Sequence, residues 1–84
     1  MTDKSILLEA EQIISGPRRE SYGSVEDSFN RIAKAWSVVF EAPVTAEQVA
    51  LCMIQLKVCR ELNSHSRDNL VDICGYAALL EDLS

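Results

Sequence analysis

The chain has little of what a membrane or nucleic-acid protein needs. No apolar run approaches the length of about 20 residues that spans a bilayer, so we expect no membrane partner. Basic residues are few, since eight Lys and Arg stand against thirteen Asp and Glu and leave a net charge of −5. Affinity for a nucleic-acid backbone comes from a Lys- and Arg-rich surface, so this partner is excluded as well. A small phosphorylated ligand remains open, because a few local cations suffice to bind it.

The residues that build zinc sites are also scarce. The chain has one histidine, His65, and no CxxC pair. Cys52, Cys59 and Cys74 fall inside apolar helical segments, which predicts free cysteines in the core. The start Met-Thr-Asp-Lys lacks the charged-then-apolar pattern of a signal peptide, so we expect a cytoplasmic protein.

The length limits how much surface the chain can bury by itself. Its 84 residues allow one domain, 1–84, and a chain this short buries only roughly 60% of the surface that its unfolded form exposes. Hydrophobic residues nevertheless make up 48% of the sequence. They must pack either internally or between subunits, and we therefore expect a homo-oligomer.

The spacing of apolar residues predicts an all-α bundle of about four helices, with an N-terminal helix in 1–15 and the other motifs in 18–83. Gly16-Pro17 ends the first helix, and Ser24 and Thr45-Ala46-Glu47-Gln48 are N-terminal capping signals for the second and third. Ser66 can cap the fourth. The third helix is apolar on most of its circumference, which predicts a central, buried helix.

Charged residues inside two of these apolar stretches are the first candidates for function. Lys57 and Arg60 are neighbours on the third helix, and Asp68, Asp72 and Tyr76 form a stripe on the fourth. A buried charge without a partner costs several kcal/mol, so these groups should face one another, a ligand or another subunit. Antiparallel packing of the two helices would bring Arg60 beside Asp68 and Lys57 nearer Asp72.

Two explanations of this constellation compete. The charges could form a structural ion-pair network that fixes the helix register. Alternatively, Lys57 and Arg60 could hold phosphate oxygens while Asp68 and Asp72 hold Mg²⁺ or a sugar hydroxyl, and Mg²⁺ is then the expected cofactor.

The segment from Arg18 to Gly23 favours the ligand site. Arg18 and Arg19 next to glycine-permitted turns suit anion binding, and the ring of Tyr22 could stack on a base. The alternative is a solvated loop. Arg31 lies off the apolar stripe of the second helix and could point either to the same pocket or to water. Trp36 is more typical of a core residue than of a base platform.

The ordered motifs also resemble a known family. They are Arg19-x-x-Tyr22-Gly23, Phe29-x-Arg31-Ile32-Ala33-x-x-Trp36, Val49-Ala50-x-x-Met53-x-x-x-Lys57-x-x-Arg60 and Asp68-x-x-x-Asp72-x-x-Gly75-Tyr76. From about residue 18 to 80 they resemble a small all-α domain of uncharacterised function that is common in tailed phages and prophages. A similar segment occurs in a phage nucleotide kinase that lacks a P-loop. A looser likeness extends to nucleotide-modification-associated domains and MazG-like pyrophosphatases.

The resemblance implies a phage-encoded helical protein, in the host cytoplasm, that handles nucleotides. Two departures from the relatives bear on its chemistry. The phage domain has an acid before its Tyr-Gly pair, where this chain has Ser21. MazG-like enzymes hold Mg²⁺ with paired glutamates, where this chain offers Lys57 and Arg60, which argues against pyrophosphohydrolysis by that mechanism.

Three function classes therefore remain open: a module that binds a nucleotide or nucleotide-derived signal, a Mg²⁺-dependent nucleotide kinase or phosphohydrolase, and an acidic factor that binds a host protein. No catalytic residue is assigned. The predicted ligand-binding residues are Arg18, Arg19, Tyr22, Arg31, Lys57, Arg60, Asp68, Asp72 and Tyr76.

Overall fold

The computed structural model describes residues 5–15 and 24–83, and within these ranges the protein is built of helices with no β-strand. The helices are α1 (Ile6–Ser15), α2 (Val25–Phe40), α3 (Ala46–Asn63) and α4 (Arg67–Leu83). The predicted all-α architecture is confirmed. The expected end of the first helix at Gly16-Pro17 lies outside the described residues.

The helix starts are set by the predicted capping residues. The Ser24 hydroxyl accepts a hydrogen bond from the Asp27 amide at 3.0 Å. Thr45 and Gln48 form a full capping box, in which the Thr45 hydroxyl accepts from the Gln48 amide at 3.1 Å and the Gln48 side chain accepts from the Thr45 amide at 2.9 Å. Each cap satisfies amides that the first helical turn leaves without partners. The boundaries of α2 and α3 therefore follow from local sequence.

The corner between α2 and α3 is closed by one serine. The Ser37 hydroxyl donates to the Ala33 carbonyl at 2.8 Å and accepts from the Val44 amide at 2.9 Å. Glu41, in the left-handed conformation with φ of 54°, ends α2. These contacts fold α3 back against α2.

The main core forms where α2 meets α3. Small side chains supply much of it, because Ala33, Ala46 and Ala50 are buried there and let the helices approach closely. Val49 is fully buried, and Phe29 is 8% exposed. On the other side of α4, Gly75 and Ala10 are buried where α1 packs, and a Cβ at Gly75 would lie 3.5 Å from Ile14 Cγ2. α1 therefore packs against α4 at Gly75 and leaves room there for no more than a small side chain.

The helix at the centre is α4, and the prediction that the third helix is central was wrong. Among the helices that the structure describes, α4 contacts α1, α2 and α3, whereas α3 contacts α2 and α4. An apolar circumference does not specify which side of a helix a short chain can cover. The side of α3 turned away from α2 and α4 remains exposed.

The predicted core cysteines are partly corrected for the same reason. Cys52 and Cys59 lie on the uncovered side of α3 and are exposed, while Cys74 on α4 is half-buried. All three are free thiols, as predicted. In the described part of the chain, no helix combines the length and the apolarity needed to cross a membrane.

Candidate functional site

The predicted pairing of α3 with α4 is confirmed at its centre. Lys57 Nζ lies 2.9 Å from Asp72 Oδ2, and the two side chains are 12% and 26% exposed. The antiparallel hairpin aligns these residues at matching depth on facing helices. Lys57 and Asp72 therefore neutralise each other in a partly dehydrated position, as the structural explanation requires.

The second predicted pair, Arg60 with Asp68, does not form. Both residues are exposed, which corrects the expectation that Arg60 is buried. Asp68 lies in the first turn of α4, where its carboxylate complements the positive end of the helix dipole. Arg60 lies in the last turn of α3 and complements the negative end there. These helix ends account for the charges without a ligand.

In the described part of the chain, no side-chain hydrogen bond, ion pair or ring contact joins Tyr76 or Arg31 to the Lys57–Asp72 pair. Tyr76 packs against the core, with its ring centroid 6.4 Å from that of Phe29. Arg31 is exposed on α2. Trp36 packs against the core, as expected for this residue. The remaining predicted ligand residues, Arg18, Arg19 and Tyr22, lie outside the described residues.

Sequence reasoning missed Glu61, which organises the turn between α3 and α4. Its Oε1 accepts hydrogen bonds from the Ser66 amide at 3.0 Å and from Asn69 Nδ2 at 3.1 Å, and its Oε2 pairs with His65 Nδ1. The hydrogen bonds from His65, Ser66 and Asn69, in that order of size, lower the pKa of Glu61 from 4.5 to about 2. The sequence signal that could have revealed this role is the position of Glu61, an acid five residues before the capping residue Ser66.

A second missed contact ties the N-terminal helix to the rest. Arg67, at the start of α4, forms an ion pair with Glu9 of α1. Both side chains are 34% exposed. Two of the cations near the α3–α4 turn, Lys57 and Arg67, are thus already engaged by carboxylates of the same chain.

The predicted Mg²⁺ ligands do not form a ready-made metal centre. Within residues 5–15 and 24–83, no three His, Cys, Asp or Glu side chains are grouped closely enough to hold an ion. The Asp72 carboxylate already forms an ion pair with the Lys57 ammonium group. A bound phosphate would have to supply the further oxygen ligands that Mg²⁺ needs.

The uncovered side of α3 is a further surface that no prediction assigned. We define the outer face of α3 as the seven residues that recur every three to four positions on that side: Gln48, Leu51, Cys52, Gln55, Val58, Cys59 and Leu62. Leu51, Val58 and Leu62 are 49%, 38% and 82% exposed. None of the seven residues carries a formal charge.

An open groove continues this face toward α2. Its volume is about 410 Å³, and it is lined by Trp36, Phe40, Pro43, Val44, Gln48, Leu51 and Cys52. The last three residues belong to the outer face, so groove and face form one continuous surface. Phe40, at the end of α2, is 64% exposed on its rim. Six of the seven residues that line the groove are apolar.

The chain matches a family and two phage proteins. A family model described as Domain of unknown function (DUF6378) matches residues 5–84. The chain is 42% identical over 81 residues to the Gene 55 protein of Mycobacterium phage L5, and 35% identical over 79 residues to the Gene 55 protein of Mycobacterium phage D29. These alignments cover 94% and 93% of this chain and 52% of each relative, so the chain spans about half the length of the curated relatives it matches.

No solved structure matches the chain. The resemblance to a phage domain of uncharacterised function is confirmed by these matches. The names of this family and of these phage proteins state no activity, and the likeness to nucleotide kinases and MazG-like pyrophosphatases stays a prediction.

Proposed function

This chain belongs to the DUF6378 family, and from that premise we propose that its domain works by protein association, with the outer face of α3 as the contact surface. The observation that carries the proposal is the absence of charge from this face. A surface helix of a monomer turns charged and polar residues to water. Contiguous exposed apolar surface of this kind is typical of protein interfaces.

The placement of the charges on α3 supports this assignment. α3 has four charged residues, Glu47, Lys57, Arg60 and Glu61. Lys57 and Glu61 are engaged with residues of α4 and of the turn before it. Glu47 and Arg60 are exposed but lie outside the outer face. Charge is thus absent from the outer face itself, and depletion of charge marks the centre of interfaces.

The two exposed cysteines allow a direct test. Cys52 and Cys59 lie within the outer face, so their alkylation rates report whether the face is covered. We expect both thiols to react slowly in cells that express the protein, and at the rate of exposed thiols after denaturation. Ala77→Cys, at an exposed position of α4, is the matched control and should react rapidly throughout. Rapid reaction of Cys52 and Cys59 in cells would refute the proposal.

Nucleotide binding is the second candidate, and one observation favours it. Arg60 is exposed one turn from Lys57, and among the described residues it has no ion-pair partner. A phosphate could be bound by Arg60 while drawing Lys57 away from Asp72. The released Asp72, together with Asp68, would then be available to Mg²⁺. This arrangement requires the Lys57–Asp72 pair to open.

A thermal-shift screen tests this candidate. Mono-, di- and triphosphate nucleotides and cyclic dinucleotides are added with and without Mg²⁺, because a ligand at 100 times its dissociation constant adds about 2.7 kcal/mol of stability. A shift that is lost in Arg60→Ala supports the site, and Arg31→Ala is the control for an exposed arginine elsewhere. Recovery of the ligand intact or altered separates a binding module from an enzyme. No shift with any ligand class would exclude this candidate.

A further inference from the structure

We propose that a second copy of this chain occupies the outer face of α3, in an antiparallel arrangement with a two-fold axis at Gln55. This inference rests on the proposed function, since it takes the outer face to be a contact surface and names its partner. A two-fold contact brings the same surface of both copies together, so the face must be complementary to itself. Three properties of the face meet that condition.

The first property is the spacing of a protruding residue and a groove. Leu62 is 82% exposed and lies seven residues after Gln55, while Gln48, on the wall of the groove, lies seven residues before it. At 1.5 Å per residue both lie about 10 Å from the axis, in opposite directions. Antiparallel packing therefore places Leu62 of each copy at the groove of the other.

The second property is the residue on the axis. A residue there meets its own copy, so a charged side chain would meet a like charge. Gln55 is exposed and uncharged, and its amide both donates and accepts hydrogen bonds. Two Gln55 side chains can therefore bond to each other. The absence of charge from the other six residues of the face likewise removes like-charge repulsion between the copies.

The third property is extent. The outer face runs for about 21 Å from Gln48 to Leu62, and the groove extends it toward α2. Phe40, on the rim of the groove, adds an apolar side chain that is 64% exposed. A standard interface buries about 800 Å² on each partner, so a dimer of that size must bury the groove and Phe40 as well as the outer face.

Measurement of mass in solution tests the dimer. Sedimentation equilibrium should give twice the chain mass of 9.3 kDa, and Leu62→Lys should raise the dimer dissociation constant at least about 30-fold. Leu62 is exposed in the single chain, so this variant should keep its helical circular dichroism. Leu7→Lys is the matched control, because Leu7 is 71% exposed on α1, and this variant should remain dimeric.

Disulfide trapping tests the antiparallel arrangement. Gln55→Cys, in a Cys52→Ser, Cys59→Ser, Cys74→Ser background, should form a disulfide-linked dimer on mild oxidation, because residue 55 meets itself across the axis. A second variant, with Gln55 unchanged and Cys52 as its single cysteine, should not form this disulfide, because an antiparallel pair sets Cys52 near Val58 of the other copy. Efficient linkage at both positions would indicate parallel packing, and linkage at residue 52 alone would move the axis away from Gln55; either result overturns the arrangement.

The outcomes separate this inference from the proposed function. A monomer whose Cys52 and Cys59 are protected in cells but reactive when purified would overturn the second copy and keep protein association, with a different protein as partner. A purified monomer with protected thiols would show that the chain covers its own face, which overturns the inference. A dimer that is unaffected by Leu62→Lys would place the interface elsewhere and also overturn it.

Discussion

Lys57 Nζ lies 2.9 Å from Asp72 Oδ2, and this ion pair links the middle of α3 to the middle of α4. Both helices carry apolar residues along most of their length, so apolar burial alone specifies only weakly how far one lies along the other. A slide would separate the two charges in a partly dehydrated environment. The pair therefore fixes the register of α3 on α4.

Removal of one partner should destabilise the fold. We expect Asp72→Ala to lower the free energy of unfolding by about 2 kcal/mol, because it leaves Lys57 only 12% exposed and unpaired. This value lies below that of a fully buried pair because Asp72 is 26% exposed. Urea denaturation measures it. Arg60→Ala, an exposed cation one turn away, should stay within about 0.5 kcal/mol. Equal stability of Asp72→Ala and the parent chain would remove the structural role of the pair.

Glu61 should make the protein sensitive to acid. Its pKa is lowered from 4.5 to about 2, so its contribution to stability is complete above pH 4.5 and is lost as the pH falls toward 2. The thermal unfolding midpoint should therefore decrease as the pH is lowered from 4.5 toward 2. Glu61→Gln should show a smaller fall over the same window. NMR titration gives the pKa directly, and His65→Ala should raise it because the His65 hydrogen bond is the largest cause of the shift.

Gly75 offers space for a methyl group. A Cβ there would lie 3.5 Å from Ile14 Cγ2, which is ordinary van der Waals contact. Because glycine is unfavourable in a helix interior, Gly75→Ala should raise the free energy of unfolding by about 0.5–1 kcal/mol. Gly75→Leu should instead push α1 away and lower it. A thermal melt of each variant checks the two signs, and destabilisation by alanine would mean that α1 packs closer than 3.5 Å.

The capping box of α3 should contribute measurably to stability. Thr45→Ala removes the hydroxyl that accepts from the Gln48 amide, and we expect a loss of about 1 kcal/mol. Thr45→Ser keeps that oxygen and serves as the control, with a change well below the alanine value. Circular dichroism during chemical denaturation measures both. A loss for serine as large as that for alanine would assign the effect to the methyl group of Thr45.

The sequence predicted the helices well because the signals for helix ends act locally. Ser24, Thr45, Gln48 and Ser66 bond to amides within a few residues, so no tertiary contact is needed to place them. The Lys57–Asp72 pair was also predictable, since a short turn between two helices imposes antiparallel packing. The same reasoning wrongly predicted that Arg60 is buried and paired with Asp68, because charge spacing alone does not tell which side of a helix is covered.

The candidate site was less accessible to sequence reasoning. The exposure of Leu51, Cys52 and Leu62 depends on which helix takes the central position. α3 has apolar residues on more sides than α2 and α4 cover. Glu61 was missed because its partners, His65, Ser66 and Asn69, surround it only once the turn has formed. Contacts between distant segments, such as Arg67 with Glu9, leave no periodic signal.

By itself, the sequence determined the all-α architecture, the helix starts and the pairing of Lys57 with Asp72, because periodicity, capping and a short turn are local constraints. Only the tertiary structure decided that α4 is central and that one face of α3 is left uncovered. The physical reason is that burial depends on how many neighbours a helix has. The four short helices of residues 5–15 and 24–83 cannot cover every apolar side, and the sequence of one helix does not reveal which side its neighbours will leave exposed.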